Sequence, residues 1–348
     1  MLVSYLVPVY NVEKYIRKCL ESILRQRGAA FEVVLLDDGS TDSSGAICDE
    51  YAKAYPEIVR VIHKENEGLL ATRRRGFQEA RGDWFVCVDS DDYIMENHLQ
   101  TIADAIAKYD CDMVMFDYES FYPDGHTEPS GIDITDVQIY EGNGKQEIYK
   151  KRLLKNKYNN MCSKAIKRSV LDFDTDYGVL GVRNMCEDAI QSYELYTRAQ
   201  RIVYVPQALY AYRRNIASIS ANITLDYWHA IRVSADLGWK YAKLWNVPEE
   251  VARAYGARCI SDYCNFLGWL LMKSDLDEEQ QKKVFQEVFL ENEWFDMAAK
   301  QYRKEYLSTK YLKLRNPMIV KSICERRSYG AAKRIFQLET ILHKNWFR

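Results

Sequence analysis

No C-x-x-C pair occurs in this chain. Its nine cysteines are scattered, and an odd, unpatterned set excludes a disulfide framework or a zinc ribbon. They read as reduced, buried thiols of a cytoplasmic protein. No uninterrupted apolar run reaches about 18 residues, so no transmembrane helix is expected. The opening run LVSYLVPVYNV lacks a basic lead-in and a small-residue cleavage site, so it reads as a first strand and not a signal peptide. Internal repeats and low-complexity tracts are absent too. Net charge is only −2 and says little about partners; no nucleic acid is expected among them. The distribution says more. Residues 300–348 hold 13 Lys and Arg against Glu305, Glu325 and Glu339, a surplus of ten, which leaves about −12 for the rest. A basic tail on an acidic body suggests an anionic surface as partner.

What is present is a long enough chain, 348 residues, for about two domains, with an ordinary globular composition of 47% hydrophobic and 28% charged residues. Its first hundred residues alternate short apolar runs with helical stripes. VSYLVPVY, FEVVLL, IVRVI, WFVCV and DMVMFD read as strands. Between them, EKYIRKCLESILRQ places Ile16, Cys19, Leu20, Ile23 and Leu24 on one stripe, with Asn11 as a candidate cap. SGAICDEYAKAY, GLLATRRRGFQEA and ENHLQTIADAIAKY read as further helices, the last with Leu99, Ile102, Ala103 and Ile106 inward. Strands apolar on both faces and separated by helices predict a mostly parallel α/β sheet covered on both sides. Residues 118–145 are polar and carry Pro and Gly, which predicts loops and a β-excursion. Helical patterns dominate from Leu225 onward.

Ligands bind such sheets beyond the carboxyl ends of the strands. Two acidic clusters fall there: Asp37–Asp38, and Asp89, Ser90, Asp91 and Asp92. Crowded carboxylates repel and resist desolvation. Carboxylates one residue apart can share a hard divalent cation such as Mn²⁺ or Mg²⁺, which also neutralises a leaving diphosphate. The plain alternative is a solvated, helix-capping acidic turn.

The order PVYN, DDGSTD, KENEGLLATRRRG, DSDD, each after a predicted strand, resembles the family 2 glycosyltransferases of the GT-A fold, of the bacterial surface-polysaccharide type. The resemblance spans roughly residues 2–220. It implies a Rossmann-like, mostly parallel sheet with a C-terminal helical region. It also implies a nucleotide pocket lined by Pro8, Tyr10 and Asn11, with Asp37 and Asp38 reading base and ribose; Asp38 is favoured for the uracil N3–H. Asn66, Gly68 and Arg73 match the N-x-G … A-R-N stretch, with Arg73 near the diphosphate and Arg74 standing where the family often has Asn. Asp91 would be the main metal ligand, with Asp89 nearer the ribose or metal-bound water, Ser90 among the nucleotide-sugar-binding residues, and Asp92 able to replace either acid as ligand. NMCSKAIKRSVL and NMCEDAIQSYEL resemble the family's K … E-D pair, which makes Asp188, after Glu187, the catalytic base; an acid there also suits a helix start. LYAYRRNIASIS matches the closing segment, with Arg213 and Ser218 over the diphosphate. The Q-x-x-R-W signature of processive synthases is missing.

The expectation is a GT-A domain over 1–220, with a nucleotide half 1–105 and an acceptor half 106–220, and helices with a basic tail over 221–348. Such a protein would be an inverting transferase using a nucleoside diphosphate sugar, with UDP the favoured carrier, and a glycan or lipid-linked glycan acceptor. The tail 300–348 would touch the inner face of the cell membrane peripherally. A sugar-nucleotide nucleotidyltransferase would need a Gly-rich basic loop where PVYNVEKY stands. A non-catalytic membrane-associated partner would not need both Asp91 and Asp188.

Overall fold

The computed structural model describes residues 1–214, 225–272, 274–290 and 328–342. The chain divides into two units, Met1–Asn222 and Ile223–Arg348.

In the first unit the strands are β1 (Leu2–Val9), β2 (Ala30–Asp37), β3 (Val59–His63), β4 (Trp84–Cys87), β5 (Tyr93–Ile94), β6 (Met113–Phe121), β7 (Thr127–Pro129), β8 (Gln138–Glu141), β9 (Lys164–Lys167) and β10 (Arg201–Arg213). The helices are α1 (Ile16–Leu24), α2 (Ser44–Ala54), α3 (Leu69–Glu79), α4 (His98–Tyr109), α5 (Lys145–Leu154) and α6 (Glu187–Arg198). The strands form one sheet in the order β3-β2-β1-β4-β9-β6-β10-β5, with β7 on β6 and β8 on β10. β1 to β4 are mutually parallel, as the strand–helix alternation predicts. β9 then enters antiparallel between β4 and β6, so the sheet as a whole is mixed.

Both faces are covered. Val3, Tyr5 and Val7 of β1 and Val33 and Leu35 of β2 pack with α1, α2 and α4. On the opposite face α3 lies so close that a Cβ on Gly76 would stand 2.9 Å from Leu36 Cδ1. Phe77 meets Phe85 edge-on there, at 5.7 Å. Two local expectations change. Asn11 caps no helix: α1 starts at Ile16 without a side-chain cap. In α4 the buried positions are His98, Leu99, Ile102 and Ala105, while Ala103 and Ile106 are half-buried.

His98 is fully buried in this core, its Nδ1 3.0 Å from the Tyr5 hydroxyl and its ring edge-on to Phe116. Burial pushes its pKa down to about 3. The unfolded chain takes up a proton near pH 6.5 that the fold refuses, so stability falls as pH drops below 6.5. Between pH 6.5 and 5 this contributes a loss of roughly 1.5 kcal/mol. Urea midpoints should therefore fall more for the parent than for His98→Gln; equal falls would refute the burial argument.

In the second unit, α7 (Leu225–Leu244) and α8 (Glu249–Met272) join through Trp228, which packs on Tyr263 at 4.9 Å and Phe266 at 5.4 Å. α9 (Glu278–Phe285) opens with an Asp277–Gln280 capping box. It meets α10 (Tyr329–Leu342) through Phe285–Tyr329 packing and a Lys333–Glu278 ion pair of 3.2 Å. Most of the basic tail, 300–327 and 343–348, lies outside the described residues. Among those described, no helix is long and apolar enough to cross a membrane.

Candidate active site

β1 and β4 stop pairing at Leu6↔Cys87, while β1 and β2 stay paired to Val9↔Asp37. The two strands therefore part beyond the carboxyl end of β4, the end at which such sheets bind ligands, and Pro8, which has no N–H to give a ladder, lies on the longer β1 there. Tyr10 follows, 47% exposed. Asn11 adopts a left-handed backbone, φ 53°, and its Oδ1 accepts from Thr41 N at 2.8 Å. It thus pins the DDGSTD loop to the end of β1.

Asp37 and Asp38 are both buried. Asp37 Oδ1 accepts from Ser40 N at 3.0 Å, and Oδ2 faces His63 Nδ1 at 2.8 Å. Asp38 accepts from Lys64 Nζ, from Glu67 N and from Gly68 N, the last two at 2.9 Å. Asp38 therefore anchors the 64–68 loop that leads into α3. Gly68 needs to be glycine: its φ is 92°, and a Cβ would stand 2.8 Å from Arg183 Cβ. Arg183 donates to Asn66 O and Oδ1 at 2.8 Å, and Asn184 Oδ1 accepts from Leu69 N at 2.8 Å. The segment before α6 is thereby fastened to the start of α3.

Five carboxylates meet next to this junction. Arg73, 1% exposed on α3, donates through Nη2 to Asp89 Oδ1 at 2.7 Å. Its Nη1 donates to Asp188 Oδ1 and to Glu187 Oε1, the latter at 3.3 Å. Asp92 is turned inward, with Oδ2 accepting from the Tyr210 hydroxyl at 2.7 Å and Oδ1 from Arg213 N at 2.6 Å. Ser90 is buried beside it. Asp91 makes no ion pair among the described residues, and burial together with Asp89 pushes its pKa up to about 6. Arg213 donates from Nε to Asp91 O at 2.7 Å, and its guanidinium lies 4.5 Å from the ring centres of both Tyr15 and Phe121.

α6 is held from behind. Its first acids follow Cys186, whose φ of 57° turns the chain sharply into the helix. Buried Arg152 donates to Ser192 Oγ at 2.8 Å and to Ala189 O at 2.5 Å. Lys145 closes the far end by donating to Ala199 O at 2.6 Å. Burial, and then Asp188, push Glu187 up to about 8. Burial also raises Asp188, and Arg73 opposes that rise.

The model of glycosyl transferase family 2 matches residues 4–174. Glycosyltransferase GlyG of Streptococcus pneumoniae is 32% identical over 247 residues, covering 68% of this chain and 75% of GlyG. The chain belongs to glycosyltransferase family 2. Glycosyltransferase GlyA of the same organism is 31% identical over 312 residues, 81% of this chain but 43% of GlyA. The chain thus spans under half the length of that relative. In fold, it is similar to the crystal structure of S. aureus TarS 1-349 in complex with UDP-GlcNAc, with a TM-score of 0.69 and 20% identity, over 100% of this chain and 93% of that one. This likeness shows a GT-A fold for the family 2 chain.

The fold brings Asp89, Asp91, Asp188 and Arg213 to one region and keeps Asp37 and Asp38 at the neighbouring strand end. Arg74 goes elsewhere, donating to Asp172 O and lying 4.7 Å over the Tyr177 ring. Ser218 is outside the described residues. Two participants escape a sequence reading. Tyr210 bonds Asp92 and also accepts from Asp89 N at 3.1 Å. Lys164 is fully buried, donates to Asn160 O, and is pushed down to about 8 by burial. Lys164 stands in the SKAIKRS motif, so the motif was the available signal; its depth was not.

Proposed function

We propose that this family 2 member is an inverting glycosyltransferase that moves one sugar from a UDP-sugar to a hydroxyl of a glycan or lipid-linked glycan. The observation that carries this is the single guanidinium of Arg73 holding the base candidate Asp188 and the donor-side Asp89 together. A base and a strand-end acidic motif are thereby presented to one crevice. Asp188 takes the proton of the acceptor hydroxyl. The oxygen attacks the anomeric carbon as the bond to the diphosphate breaks, and one displacement inverts that carbon. Arg213, whose Nη atoms carry no hydrogen bond among the described residues, is the cation we assign to the departing diphosphate. TarS 1-349, similar in fold, crystallises in complex with UDP-GlcNAc, and this supports a UDP-sugar donor.

The acidic motif suits Mn²⁺ or Mg²⁺. Asp91 makes no ion pair among the described residues and stands beside like-charged Asp89, a repulsion that a divalent ion would remove. No group of three or more metal-ligating His, Cys, Asp or Glu side chains occurs among the described residues. Asp91 and Asp89 would therefore hold the ion with phosphate and water oxygens completing its shell. When bound, the ion supplies charge neutralisation for the leaving diphosphate. Asp92 is committed to Tyr210 and Arg213 N, so we leave it out of the ligand set.

The stereochemistry is the test. With an α-linked UDP-sugar and its acceptor, the anomeric proton coupling of the product should report a β linkage. An α product would require a two-step or front-face mechanism and would overturn the reading.

A further inference from the structure

We propose that Arg73 is a positioning residue, a buried clamp that fixes the Asp188 carboxylate relative to Asp89, and not a ligand of the donor diphosphate. The inference rests on the reading of Asp188 as base. Resemblance alone would send Arg73 to phosphate, but its hydrogen bonds go elsewhere. Its side chain is 1% exposed, and both terminal nitrogens are committed to carboxylates: Nη2 to Asp89, Nη1 to Asp188 and Glu187. Its Nε is buried without a hydrogen bond. A guanidinium is planar, so a cation held this way also fixes the plane in which the two acids sit.

The clamp has a second consequence. Three acids surround one guanidinium, and the groups whose charges bear on Asp188 come from four elements. Arg73 reaches it from α3, Asp89 from beyond β4, Lys164 from β9, and Glu187 from its own helix. Burial and Asp89 favour the protonated acid, which cannot act as base. Arg73 and Lys164 favour the carboxylate. Lys164 lies at full burial behind the cluster and, apart from Asn160 O, has no hydrogen-bond acceptor among the described residues. Its charge supports Asp188 without reaching the crevice. Arg73 is the group that pairs directly with Asp188, so removing its charge means that the carboxylate form is reached only at higher pH.

The test measures kcat against pH, and UDP binding by calorimetry, for the full chain and for Arg73→Lys and Arg73→Gln. In Arg73→Gln, which loses the cation, the acid limb of the kcat profile should move to higher pH, with kcat at pH 7 down by about 10–100-fold, a part of what a general base contributes; Arg73→Lys, which keeps the charge but not the planar fork, should hold the limb nearer the parent's while still lowering kcat. UDP affinity should stay within about twofold, since uniform binding is untouched. UDP affinity weakened by about tenfold or more, with the acid limb in place, would make Arg73 a phosphate ligand and overturn the proposal. If the Arg73 variants fail to fold, the parent carries the test: the side-chain Nε–H resonance of Arg73 should stay in place under saturating UDP, and a marked shift of it on UDP binding would make Arg73 a phosphate ligand and overturn the clamp. Failure of the base reading is separate, because Asp188→Asn would then keep both its activity and its acid limb.

Discussion

Asp188→Asn lowers transfer by about 10²–10⁴-fold, the scale of general-base removal, and leaves UDP binding intact. The amide matches the acid in size and can still accept from Arg73 through its oxygen, so the clamp and the start of α6 survive. What is lost is the ability to take a proton. The strand ends at Val9 and Asp37 and the 64–68 loop are held by Asn11, Asp37 and Asp38, none of which contacts Asp188. Donor affinity should therefore not follow turnover down. The variant and the parent are compared by kcat and by UDP calorimetry. Collapsed affinity with surviving turnover would make Asp188 a binding residue.

Asp91→Asn abolishes Mn²⁺- or Mg²⁺-dependent turnover without costing stability. Asp91 lies half-buried beside Asp89, its carboxylate acidity weakened by burial first and by Asp89 second. In the metal-free protein an amide there relieves repulsion, so the melting temperature should hold or rise. On the proposed metal role the same amide would remove one anionic oxygen ligand, and Mg²⁺ bound through only one or two carboxylates would tolerate that poorly. A stable but inactive variant separates a metal role from a structural one. Full activity of Asp91→Asn in the presence of a chelator would remove the metal from the account.

Much of this was legible in the residues. The first four strands follow from periodicity, because buried parallel strands read as continuous apolar runs, and α1 and α4 read as stripes. The strand-end position of DDGSTD and DSDD follows from the same alternation. The rest of the sheet was harder. β9 is only four residues long and antiparallel, and it reaches its place between β4 and β6 through pairing that no local pattern encodes. Side-chain commitments were the least legible. Asp91 and Asp92 are adjacent acids in the sequence, yet Asp92 points at Tyr210, 118 residues away, and Asp91 does not. Arg73 reads as a phosphate cation in a basic row; only the fold delivers Asp188 to it across 115 residues. Asn11 reads as a cap, but its left-handed backbone turns it toward Thr41.

The most direct measurement is product analysis after incubating the full chain with a panel of UDP-sugars and Mn²⁺ or Mg²⁺, with no acceptor added. Slow release of UDP from at least one of them, stopped by a chelator and by Asp188→Asn, is the predicted result. Pyrophosphate exchange with UTP and a sugar 1-phosphate, or no reaction with any UDP-sugar, would contradict it.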